Sequence, residues 1–324
     1  MLGNRLILAI IVVVGVPAAT IGYIALADWV AGKLPLRYRE RVRPWFWAAP
    51  ALILLTVYLV YPAINTIVLS FFNADSTKYV GLDNYHYFFT NSQTLDALKN
   101  NALWLVFLTG FTVVLGLLIA VLFDRVRYES AVKSLIFLPM AISFVAAGVI
   151  WKLMYDYQPP GQPQTGVLNA VVTAVGGQPV PWLVNRTTNN PALIMVGVWM
   201  WTGFGMVILS AGLKSIPTEI IEAARVDGAS EWQILRSVTI PMLSSTIAVV
   251  ATTMVINALK IFDIIYVMTN GNFGTEVIAN RMYKEMFNYS NFGRAGAIAV
   301  VLLVAIFPVM LFNIRRFQAQ EEMR

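Results

Sequence analysis

Three polar residues interrupt an otherwise apolar run, TTMVINALKIFDIIYV: Asn257, Lys260 and Asp263. A lysine or aspartate at the centre of a bilayer-crossing helix costs about 2.5–3.5 kcal/mol on insertion scales, so such groups face a bundle interior or a wet cavity. Thr253, Asn257 and Lys260 are spaced four and three apart and share one helical face; Asp263, three further on, is placed to pair with Lys260. An amide and an ammonium on one face suit a hydroxyl-bearing solute. A Lys260–Asp263 pair that only holds helices together suits the same spacing, and both readings stay open. A second stretch, WMWTGFGM, sets Trp201, Thr202 and Phe204 beside glycines. Aromatic faces pack on apolar ring faces while amides and hydroxyls bond to ring substituents. Plain helix packing explains these aromatics equally well.

Covalent chemistry has little to work with. Cysteine is absent, which excludes disulfides and thiolate metal sites. His86 is the one histidine, too few for a histidine-based metal centre. There is no G-x-x-x-x-G-K-[ST] phosphate loop, no paired acidic motif on one helix and no nucleophile–base constellation. We expect no catalytic residue, no metal and no cofactor bound by this chain.

The elements that must position these residues are membrane spans. The 324 residues are 58% hydrophobic and 12% charged, with mean hydropathy +0.68. A soluble domain carries roughly twice that charged fraction. Seven apolar segments are near the roughly 20 residues that cross a bilayer as a helix: Leu6–Val30, Trp45–Phe72, Leu103–Phe123, Leu135–Leu153, Ala192–Leu213, Leu243–Met268 and Ala295–Ile314. The predicted fold class is all-α, a polytopic helical bundle. A cleaved signal peptide is the rival reading of the first run, but its length and the basic block behind it favour a retained span.

Basic residues set the direction. Lys33, Arg37, Arg39, Arg41 and Arg43 follow the first span; Arg125, Arg127 and Lys133 follow the third; Arg315, Arg316 and Arg324 close the chain. Seven spans put all three groups on one side, the cytoplasm by the positive-inside rule. Arg281, Lys284 and Arg294 fall outside and run against it. The net charge of +6 thus reflects membrane topology, with lipid as the expected partner and no nucleic acid. Two longer outer segments, 73–99 and 155–190, are candidate binding surfaces.

One cytoplasmic connection is unusual. In SIPTEIIEAARVDGASEWQILRSVTIP, Pro217 suits a first helical turn and Glu219 and Glu222 complement a helix start. Ile216, Ile220 and Ala224 recur every four residues as an apolar stripe. Gly228, just after Asp227, can take the left-handed conformation that ends a helix, and Ser230 with Gln233 is a capping-box pattern. Trp232 and Leu235 share a face of the second helix, and Pro241 stops it or starts the next span. Two helices this short need a partner surface, either the chain's own spans and the membrane or another protein.

EAARVDGASEWQILRSVTIP resembles the coupling loop of ABC importer permeases: Glu222-Ala223-Ala224, three residues, Gly228, nine residues, Val238, one residue, Ile240-Pro241. Two positions exchange one aliphatic residue for another. RPWFWAAPALILLTVYLVYPAINTIVLSFF, IFLPMAISFVAAGVIWKLMYD, FDIIYVMTNG and FGRAGAIAVVLLVAIFP extend the likeness to sugar-importer permeases over about residues 43–317, and VIANRMYKEMF with TNGNFGTEV is most similar to α-glucoside permeases. The resemblance implies an inner-membrane subunit with Glu222, Ala223, Ala224, Asp227, Gly228 and Pro241 seated on an ATPase. It implies Trp201, Phe204, Asn257 and Lys260 along a sugar path, with Asp263 as charge partner. Implied partners are a second permease, two cytoplasmic ATPase subunits that hold ATP and Mg, an extracytoplasmic solute-binding protein and a sugar. The expected organisation is an extra span and basic segment over 1–44, a permease domain over 45–317 with its coupling loop at 214–241, and a tail over 318–324. A glycerol-phosphate or polyol permease is the alternative within this class; a secondary transporter or membrane enzyme is the alternative outside it.

Overall fold

The computed structural model describes residues 2–33, 35–123 and 126–321. Arg125, Arg324 and the end of the expected tail lie outside them, as does the Arg316 side chain. The described residues are mostly helical, with one isolated bridge between Phe72 and Tyr79. Five helices are long and apolar enough to cross a membrane, and seven if two bent pairs each count as one span.

The chain divides into two compact units, 1–66 and 67–324. In the first unit, α1 (Leu2–Gly32) and α2 (Leu36–Leu55) are joined by hydrogen bonding of Tyr23 to the Phe46 carbonyl and by an Asp28–Arg43 ion pair at 3.2 Å. Arg37, Arg39, Arg41 and Arg43 therefore form the first turns of α2 rather than a loop. A π-turn over Thr56–Val60 leads to α3 (Tyr61–Leu69).

The second unit is built around one central helix. Its outer segment begins with α4 (Asp83–Thr90), and α5 (Ser92–Phe123) starts well before the expected Leu103. Asn91 explains the early start: its side chain accepts from the Gln93 and Thr94 amides at 3.0 and 3.3 Å, a helix N-cap. Next come α6 (Glu129–Phe137), α7 (Phe144–Met154), α8 (Val167–Ala174) and α9 (Asn189–Lys214). The helix α9 is the hub, with two thirds of its apolar window buried. It crosses α5 where glycine meets glycine: a Cβ on Gly116 would lie 2.9 Å from the Gly205 carbonyl carbon. Around that crossing pack Trp104, Leu193 and Met200 in one cluster and Met206, Leu209, Val250 and Met254 in another. The outward faces of α5 and the last helix carry exposed Phe107, Phe111, Leu122, Phe307 and Phe312. Such faces suit lipid rather than water.

Two expected spans are not straight. The one read as Leu135–Leu153 bends by 98° between Ala141 and Phe144. Pro139 sits in a 3₁₀ turn there, and Ser143 caps α7 by accepting from the Ala146 amide. The one read as Leu243–Met268 starts at a bend and is broken once inside. After α10 (Thr218–Val226), α11 (Glu231–Ile234) and α12 (Ile240–Met242), the chain turns 70° into α13 (Ser244–Leu259). It stops at Lys260 and restarts as α14 (Asp263–Met268), then α15 (Ile278–Tyr283) and α16 (Phe292–Glu321).

Candidate functional site

The polar insert folds as two short helices about a glycine. Pro217 is the N-cap of α10, with φ −58° and ψ 131°, so the helix starts one residue later than expected. At its far end the Ala229 amide bonds to the Ala224 carbonyl and the Gly228 amide to the Arg225 carbonyl, both at 3.0 Å. That is a Schellman closure, and Gly228 provides the left-handed residue it needs, at φ +83°. No atom lies within 4 Å of a Cβ built on Gly228, so the requirement is conformational and not one of space. Ser230 and Gln233 form the capping box at the start of α11, with 2.8 Å between the Ser230 amide and Gln233 Oε1. Pro241 follows a π-turn over Leu235–Thr239 and lies just before the 70° bend.

Arg225 joins the two helices to each other through Glu231, with Nε–Oε1 at 2.7 Å. The hydrogen bond to Glu231 holds the guanidinium pKa above its ordinary value. Sequence reading missed this pair because neither residue belongs to a capping or apolar pattern. The apolar stripe also differs from expectation. Ile216, Ile221 and one side of Trp232 line a cleft of about 610 Å³ under the insert, whereas Ile220 stays 40% exposed and Val226 more so. Glu222 and Ala223 share that outward side. The insert therefore presents an acid, a small residue and two uncovered apolar side chains, with Trp232 exposed at the cleft edge.

Two further contacts fix where the insert leaves the bundle. Lys214, the last residue of α9, is 2.6 Å from Glu129 Oε1, and Lys133 pairs with the same carboxylate. The bent span and the root of the insert thus share one acid.

In the membrane part, Trp201 and Phe204 meet edge to face at 5.8 Å, and Phe144 lies 5.8 Å from Trp201 on the other side. Asn257 donates to the Thr253 carbonyl of its own helix at 2.9 Å. The expected Lys260–Asp263 pair is corrected by the break at 260–262. Lys260 caps the C-terminal end of α13 and Asp263 opens α14, and no ion pair joins them among the described residues. Each charge instead complements a helix end: a cation beside carbonyls, an anion beside amides. Lys260 therefore does not continue the Thr253–Asn257 face in an unbroken helix.

Asn101 makes that break tolerable. Its amide nitrogen donates to the Ala258 and Leu259 carbonyls at 3.1 and 3.3 Å, and its oxygen accepts from the Ile278 amide at 2.8 Å. Non-helical backbone at membrane depth persists only when its polar groups find partners in protein or in a wet cavity. The outer charges that ran against the positive-inside rule are paired too. Arg281 lies 2.6 Å from Glu285, almost fully buried, and Lys284 is 2.7 Å from Glu276. Arg294 stands 3.8 Å over the Tyr87 ring.

Bilayer-length helices around a central α9, broken spans held by buried amides and a polar helix–glycine–helix insert define a transmembrane transport subunit. Residues 112–320 match the family described as binding-protein-dependent transport system inner membrane component, and the chain belongs to that family. It is 59% identical to the osmoprotective compounds uptake permease protein GgtC of Synechocystis sp., over 86% of this chain and all of that protein. It is 46% identical to the alpha-glucoside transport system permease protein AglF of Rhizobium meliloti, over 86% of this chain and 84% of that one. A chain of the bacterial alginate ABC transporter, solved in complex with an alginate pentasaccharide-bound periplasmic protein, superposes with TM-score 0.72. It is 25% identical, with 85% of this chain and 94% of that chain covered. The protein is an inner-membrane permease of the ABC importer class.

Proposed function

We propose that this chain carries a neutral, polyhydroxylated glycoside of the α-glucoside class across the cytoplasmic membrane. Its 46% identity to AglF over most of both chains carries that reading. The permease has no catalytic site of its own. ATP is hydrolysed in two separate subunits seated against the exposed Glu222–Val226 face and Trp232, with Asp227, Gly228 and Pro241 shaping that surface. A second permease completes the pore and a solute-binding protein delivers the solute from outside. Trp201 and Phe204 offer ring faces along the path, and Asn257 offers amide contacts to hydroxyls. Lys260 stands at the open end of α13, where a charge can meet a solute oxygen.

The likeness to GgtC supports a second reading, a solute that protects against osmotic stress. Both are tested with the assembled complex and its binding protein in proteoliposomes. Uptake of maltose, sucrose and trehalose is compared with uptake of glycine betaine and glycerol 3-phosphate, alongside ATP hydrolysis. Glycoside uptake with matching ATP hydrolysis is expected. Uptake of betaine alone, or of glycerol 3-phosphate alone, overturns the glycoside reading.

A further inference from the structure

A cleft of about 590 Å³ opens on the outer face, between the end of α7, the segment 181–184 and the segment that follows α14. That volume lies within the range of about 300–1,000 Å³ that encloses small molecules. Its walls combine ring faces with polar groups: Tyr157, Trp182, Tyr266 and Phe273 beside Lys152 and Asn272. Tyr266 and Phe273 are 40% and 49% exposed, and no ion pair or hydrogen bond occupies the Lys152 and Asn272 side chains among the described residues.

The cleft is built on rigid supports. Trp182 donates to Asn169 Oδ1 at 3.1 Å, and Asn169 is fully buried, bonding also to the backbone of Asp156 and Val180. The opposite wall is strained. In TNGNFG, Asn270, Gly271, Phe273 and Gly274 all have positive φ, at 51°, 72°, 60° and 81°. Non-glycine residues adopt that conformation only where their surroundings over-determine it, and such residues cluster at ligand clamps and switches. Here five side chains hold the segment in place. Asn100 and Asn189 donate to the Gly274 and Phe273 carbonyls at 2.8 Å, Lys284 donates to the Asn270 carbonyl at 2.7 Å, and the hydroxyls of Thr269 and Thr275 lie 2.7 Å apart. The strain serves to present Asn272 and Phe273 to the cleft.

We infer that this cleft is an outer glycoside subsite, in which a pyranose ring stacks on the aromatic walls while Lys152 and Asn272 bond to its hydroxyls. The inference rests on the outward placement of this face and on the glycoside reading above. Aromatic surface with a few convergent polar groups is what a neutral sugar needs, since it offers an apolar ring face and a rim of hydroxyls. The subsite would receive solute before it reaches the path beside Trp201.

The test uses the absence of cysteine from the chain. Asn272→Cys is labelled with an impermeant maleimide in the assembled complex, without binding protein or ATP, with and without maltose. Labelling is expected to slow by about tenfold once maltose is present at about ten times its Kd. Glycine betaine at equal concentration should leave the rate unchanged. A second measurement uses uptake. Tyr157→Ala together with Lys152→Ala should raise the half-saturating solute concentration severalfold while maximal uptake changes little. If maltose is imported yet does not slow labelling at any concentration, the subsite is overturned and the glycoside reading stands. If no glycoside is imported or protects, the glycoside reading has failed instead, and the subsite with it.

Discussion

Arg225 grips Glu231 with both arms of its guanidinium, Nε to Oε1 at 2.7 Å and Nη2 to Oε2 at 3.2 Å, and so ties α10 to α11 across the Gly228 turn. Six residues separate the two in sequence. The turn is therefore held twice, by the backbone closure at Ala224 and Arg225 and by this side-chain clasp. A partner subunit pressing on the exposed face meets a preformed shape.

Gly228 is the place to test that shape. A left-handed backbone costs an L-residue about 1–2 kcal/mol, and Cβ meets nothing there. Solute-stimulated ATP hydrolysis by the assembled complex should fall in the order glycine, Gly228→Asn, Gly228→Ala, Gly228→Val. Asparagine ranks high because it tolerates positive φ. Full activity in the valine variant would mean that the elbow plays no part in coupling.

The clasp itself should matter little to stability. Glu231 is 75% exposed, and exposed pairs contribute only about 0.2–1 kcal/mol. A double-mutant cycle of Arg225→Ala and Glu231→Ala, followed by thermal unfolding of the complex, should give a coupling energy in that range that shrinks at high salt.

The elbow was legible in the sequence because its signals are local: a proline, a glycine and a Ser–Gln box within 17 residues, the glycine and the box where the spacing placed them and the proline one position outside the helix it was expected to begin. Span number was legible from hydropathy, but hydropathy is blind to bends. The 98° turn at Pro139 and Ser143 lies inside a segment that hydropathy shows as one span. The break after Leu259 does too, so the spacing of Lys260 and Asp263 was read as one helix face. Asn101 was illegible for a different reason. It lies 157 residues from the carbonyls it satisfies, and nothing near it shows that role.

That difference predicts a reversal in the energetics of the break. Asp263→Ala removes an anion from a helix start and should cost only about 0.5 kcal/mol. Asn101→Ala strands buried backbone groups, at about 1–3 kcal/mol for each group left unpaired. Complex yield and thermal midpoint should therefore suffer far more from Asn101→Ala than from Asp263→Ala.

Asn257→Ala provides a cleaner probe of the solute path. Its amide bonds only to its own helix, so assembly should be normal. Loss of one solute hydrogen bond, on the order of 1 kcal/mol, should weaken uptake about fivefold, unequally among glycosides of different hydroxyl pattern. Equal slowing of every glycoside would remove Asn257 from the path.

The buried outer pair should be the most sensitive electrostatic feature. Glu285 is 1% exposed, and its removal leaves Arg281 uncompensated. Breaking such a pair costs about 3–5 kcal/mol, so Glu285→Ala should lower the thermal midpoint and complex yield sharply. Exposed Lys99→Ala, which breaks a surface pair with Asp96, should leave both near wild type.

Topology is checked with single cysteines. Arg39→Cys and Ser230→Cys should react with an impermeant reagent in inverted vesicles and not in intact cells. Labelling of either from outside would reverse the assigned direction.

The Asn101 bridge also has a consequence for biogenesis. Chains emerge N-terminus first at about 5–20 residues per second, so the amide precedes its partners by roughly 8–30 s. The Ala258 carbonyl of α13 also accepts from the Ile261 amide, but among the described residues the Leu259 carbonyl is met by Asn101 of α5. A chain whose α5 is misplaced leaves the Leu259 carbonyl without the amide that meets it in the fold. One amide thus makes completion of the later half of the chain conditional on the earlier half.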